Sequence, residues 1–139
     1  MEIARWLVVF VAFITGAGGL FADYVIPASA AQHMKNPRWP PHAKFHNAQG
    51  ILLGVALGVV SIALLFLHRP LTRETLVISA LVASLYWICI FAAPIFPGKA
   101  FADPEFASAA PTVCRLPLQL AIGIVLVGIL LVAIAISFL

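Results

Sequence analysis

Charge is what this sequence has least of. Of 139 residues, eight are Lys or Arg and five are Asp or Glu, together 9% of the chain, against about a quarter in soluble domains. A soluble catalytic domain does not fit that composition. A nucleic-acid partner does not fit either, because the few cations are dispersed among loops instead of being clustered with aromatics. Cysteine is nearly absent as well. Cys89 and Cys114 have no metal-type spacing; they flank the third loop and could pair, but free buried thiols are the expectation. No apolar stretch alternates in the manner of a barrel strand, which excludes the closed β-barrel route through a membrane.

What is present is mostly hydrocarbon: 63% of residues are hydrophobic and the mean hydropathy is +1.10. Four apolar stretches, placed at 5–23, 49–67, 75–94 and 117–138, each approach the roughly 20 residues that cross about 30 Å of hydrocarbon as a helix. Lipid offers the backbone no hydrogen-bond partners, so these stretches should be helical. The fold class that follows is all-α integral membrane, an antiparallel four-helix transmembrane bundle forming a single domain. A short interfacial helix is expected in the first loop, opening at Pro27 and ending before Asn36-Pro37. Arg5 ahead of an apolar run and Ala28-Ser29-Ala30 behind it resemble a signal peptide. The run Trp6 to Ala22 is long for a signal core, so a span is expected instead.

Histidine, cationic, aromatic and amide side chains concentrate in Asn36-Pro37-Arg38-Trp39-Pro40-Pro41-His42-Ala43-Lys44-Phe45-His46-Asn47-Ala48-Gln49. Proline's fixed φ suits a first helical turn, so a helix should open at Pro41 and continue into the second span. His42 and His46 are then one turn apart on one face, and Gln49 continues it. Asp23, at the membrane boundary of the first span, is costly unless paired or functional. Gly50, Gly54 and Gly58 form a small-residue ridge for close helix packing, either within the chain, with a second copy, or with a larger membrane complex. Thr72 should cap the third span, with Glu74 in its first turn. Tyr86 and Trp87 read as interfacial anchors, or as lining for a cavity.

An even-membered bundle places loops one and three on one side. That side collects Asp23, His33, Lys35, Arg38, Trp39, His42, Lys44, His46, Asn47, Gln49, Lys99, Asp103, Glu105 and Arg115, while the other holds little beyond Arg5, His68, Arg69, Arg73 and Glu74. A channel would carry polar residues through its depth; this pattern predicts a pocket open at one end. Counting Lys and Arg weakly orients the polar mouth toward the cytoplasm.

Three chemistries suit such a mouth. His42 and His46 can chelate a divalent metal if Asp23, His33, Asp103 or Glu105 completes the set. His42 and His46 can instead work with Asp23 in acid–base conversion of a small lipophilic substrate, with Trp39, Lys44, Asn47, Gln49 and Tyr86 orienting it. Or the motif anchors a non-catalytic subunit or scaffold to anionic headgroups.

The motif Asn36 to Gln49, with Trp39-Pro40-Pro41-His42 and Lys44-Phe45-His46-Asn47, resembles an uncharacterised family of small four-span membrane proteins of bacteria and fungi. In architecture the chain also resembles the emopamil-binding/sigma-2 receptor type, which implies a one-ended cavity for sterol-like ligands. That family's acidic site residues have no residue-by-residue counterparts here.

Overall fold

The computed structural model describes residues 1–139. Four helices are long and apolar enough to cross a membrane, and they pack together as the bundle expected. The first, α1 (Glu2–Leu20), runs on into a π-helical turn, Phe21–Val25. Pro27 opens the short α2 (Pro27–Ala30), after which turns carry the chain to Asn36. This helix is shorter than the stretch from Pro27 up to Asn36-Pro37 expected from sequence. Successive amides there fold back onto nearby carbonyls: Gln32 N–H donates to Ser29, and both His33 and Lys35 donate to Ala30.

Pro40 is extended and Pro41 occupies the first turn of α3 (Pro41–Leu67). In α4 (Arg73–Ala92), the Thr72 hydroxyl accepts from the Thr75 amide at 3.2 Å, the cap expected there. The third loop holds a two-residue antiparallel ladder, β1 (Thr112–Val113) against β2 (Leu116–Pro117). Cys114 and Arg115 at its tip have φ of 50° and 67°, as the tightest hairpin turns require. Both cysteines are free, and both are exposed instead of buried: Cys114 lies at the hairpin tip and Cys89 on the outer face of α4. The last helix is α5 (Leu118–Ile136).

The core is formed by Val8, Val11 and Ala12 of α1, Leu65 of α3, Leu76, Ala80, Ala83 and Trp87 of α4, and Leu126 and Leu130 of α5. Apolar contact drives little association between helices in lipid, so close backbone approach and interhelical hydrogen bonds carry more of the specificity. Both are visible. A Cβ on Gly58 would stand 2.5 Å from the Ala12 carbonyl, and one on Gly54 2.9 Å from that of Thr15. These two glycines are occupied by α1 of the same chain; Gly50 has open space around it, so only there could a partner reach the ridge.

Two buried polar links cross the bundle. The Thr15 hydroxyl donates to the Ala83 carbonyl at 3.1 Å and accepts from Trp87 Nε1 at 2.9 Å. Ser61 and Ser79 donate to each other's carbonyls at 2.9 and 2.8 Å.

Candidate functional site

The polar mouth divides into an inner cluster and an outer ladder. Asp23 centres the inner cluster. It lies in the π-helical turn ending α1, a distortion that widens the helix and often accompanies functional sites. Its side chain is only 18% exposed. Asn47 Nδ2 donates to Asp23 Oδ2 at 2.8 Å, and His33 Nδ1 stands 3.5 Å from Oδ1. His33 Nδ1 also meets the Ser29 carbonyl at 2.8 Å. A carbonyl only accepts, so the neutral ring carries its proton on Nδ1 and leaves Nε2 as the free base. Asn47 Oδ1 is buried and has no partner, and neither has the buried Asn36 Nδ2.

Loops one and three are tied over this cluster. Trp39 Nε1 donates to Asp103 Oδ2 at 3.0 Å, and Arg38 pairs with Glu105 at 2.9 Å. Trp39 also meets the His33 ring edge-on, with centroids 5.6 Å apart. Asn36, almost fully buried, accepts the Arg38 amide on Oδ1 at 2.9 Å and so shapes the turn before the proline pair.

The outer ladder is His42, His46 and Gln49. Their shared face points away from the bundle, and all three are exposed. His42 Nε2 lies 3.1 Å from His46 Nε2, and His46 Nδ1 lies 3.3 Å from Gln49 Oε1. The structure thus brings Asp23 together with Asn47 and His33, and does not bring it to His42 or His46. Lys44 is half-buried near the start of α3. Tyr86 is inside the bundle: its ring covers Gly54 and its hydroxyl lies over Gly19 of α1.

The third metal ligand expected from Asp23, His33, Asp103 or Glu105 is not assembled, and no group of three or more His, Cys, Asp or Glu side chains gathers anywhere. Asp23, Asp103 and Glu105 are each drawn to a donor of their own: Asn47, Trp39 and Arg38. At the same mouth, a cleft of about 320 Å³ opens between the end of α4, the third loop and the start of α5. Ile90, Ala93, Pro94, Ala100 and Phe101 line it, with Lys99 and Gln119 as its polar members.

Sequence reasoning missed the Thr15, Ser61 and Ser79 links and the buried Asn36. Hydroxyls inside apolar spans are the signal that could have found the first three, since in lipid they must bond to something.

The fold and site define a class: a small four-helix membrane bundle with one polar mouth. A family model matches residues 7–131 and carries the description family of unknown function, DUF6640; the chain belongs to that family. No curated protein and no solved structure matches it.

Proposed function

We propose that this protein binds a small lipophilic molecule at its polar mouth, with Asp23 and Asn47 as the polar pole and His33 positioned for proton exchange with the bound molecule. The observation that carries this reading is the pairing of a partly buried carboxylate with the amide of Asn47, whose own oxygen, Oδ1, is buried and unpartnered at the membrane boundary. Buried polar atoms normally have partners, and a ligand hydroxyl or amine would supply one. The mostly apolar cleft on the same side suits the hydrocarbon part of such a molecule. Being lipophilic, a ligand of this kind would enter laterally from the bilayer, with its polar end at Asp23 and Asn47. We place the mouth on the cytoplasmic side.

A second reading, a non-catalytic membrane subunit or scaffold, is favoured by one feature. Asp23, Trp39, Asp103 and Arg38 all have partners within the chain, as in a mouth built to be rigid. Native mass spectrometry of the detergent-purified chain separates the two. Ligand binding predicts a co-purified lipophile whose occupancy falls about 10- to 100-fold in Asp23→Asn, the effect of losing a hydrogen bond to a charged group. Unchanged occupancy, or none in either protein, would instead support the scaffold.

A further inference from the structure

The outer ladder has no part in the Asp23 cluster, yet its geometry is that of a chelate. His42 and His46 sit one turn apart on α3, their ring centroids 4.5 Å apart and their planes at 83°. The two Nε2 atoms are 3.1 Å apart. An ion bound at about 2.0–2.1 Å from each nitrogen would subtend roughly 98° between them, between the roughly 90° of an octahedral edge and the roughly 109° of a tetrahedral one. The rings already converge, so binding needs little rearrangement.

The tautomers agree with this use. Gln49 Oε1 accepts from His46 Nδ1, which leaves the lone pair of His46 on Nε2. Fixing a ligating imidazole through its other nitrogen is the usual outer-shell device. His42 then donates its Nε2 proton to His46 in the unligated pair. Moving that proton to Nδ1 through solvent frees the second ligand, with no net gain or loss of protons. The helix is fixed at this point by Pro40 and Pro41, so the chelate rests on a formed element.

We infer that His42 Nε2 and His46 Nε2 form a two-imidazole site for a divalent first-row transition ion on the outer face of α3. Imidazole pairs suit copper, nickel and zinc, with copper held most tightly. Both rings are exposed, and the same stripe continues down the helix to Leu53, which faces outward at 56% exposure. The site therefore stands at the outer boundary of the span, and its remaining coordination positions open to water. It is independent of what binds at Asp23.

The test uses the full chain without an affinity tag of histidines, stripped with chelator and held in zwitterionic detergent. Calorimetric titration with Cu²⁺ and Ni²⁺ should give one saturable site, copper tighter than nickel. His42→Ala and His46→Ala should each weaken binding at least tenfold, while His33→Ala and His68→Ala leave it unchanged. Electron paramagnetic resonance of the copper form should show two equatorial nitrogens, and fewer in either single variant. Absence of saturable binding, equal binding by the His42→Ala/His46→Ala double variant, or a copper signal with one nitrogen would overturn the assignment.

Discussion

Thr15 is where single residues matter most to the interior. Its hydroxyl is both donor and acceptor, giving its proton to the Ala83 carbonyl and receiving that of Trp87. Thr15→Val keeps the shape but leaves the indole N–H unpaired inside the bundle. Interhelical hydrogen bonds in membranes average about 0.6 kcal/mol and reach about 1.7; with a buried donor orphaned, the upper end is expected. Trp87→Phe removes that donor, so the double variant should cost less than the sum of the two singles. Reversible unfolding of the four proteins in detergent would measure the coupling, and strict additivity would mean that the bond contributes nothing. The inner cluster follows the same logic, and its sequence signals were unequal. Asp23 is legible because a carboxylate at a membrane boundary must be paired or used. Its pairing with Asn47 and not with His42 or His46 is set by helix rotation, which residue type alone does not reveal.

That rotation is a property of the element. A spacing of four looks like one face, but at 3.6 residues per turn each step of four drifts by about 40°. Counting back from Gly58, Gly54 is displaced by about 40°, Gly50 by about 80°, His46 by about 120° and His42 by about 160°. Asn47, eleven residues before Gly58, is displaced by only about 20°. The contacts grade accordingly. A Cβ meets backbone at 2.5 Å on Gly58 and at 2.9 Å on Gly54, and open space on Gly50; Asn47 points inward and both histidines outward. Alanine substitutions should grade in the same order. Gly58→Ala presses on the Ala12 carbonyl, which cannot rotate aside, and should cost about 1–3 kcal/mol, in the range of overpacked cores. Gly54→Ala should cost less, and Gly50→Ala almost nothing. Thermal unfolding midpoints in detergent would show the series, and a flat one would mean that α1 and α3 separate without penalty. The helices and the Pro41 start were legible because hydropathy and proline act locally. The third loop was not, since its hairpin depends on Cys114 and Arg115 adopting positive φ, which neither residue type advertises.

At the scale of the whole molecule, the open quantity is which way the polar mouth faces. Lys35, Arg38, Lys44, Lys99 and Arg115 lie on its side, against Arg5, Arg69 and Arg73 on the other. Ion pairing does not reverse that balance: Arg38 is matched by Glu105 and Arg5 by Glu2, which leaves four unmatched cations against two. The excess of Lys and Arg in loops marks the cytoplasmic side, so the proposed cytoplasmic mouth survives the pairing. The chain carries its own probe. Cys114 is exposed at the hairpin tip of the mouth, whereas Cys89 lies on the outer face of a span. In a Cys89→Ser background, a membrane-impermeant maleimide should label Cys114 in inside-out vesicles at least tenfold faster than in right-side-out ones. The reverse ratio would put Asp23, His33 and the cleft on the outside. A ligand would then arrive from the external leaflet, and the metal site on α3 would be open to external ions.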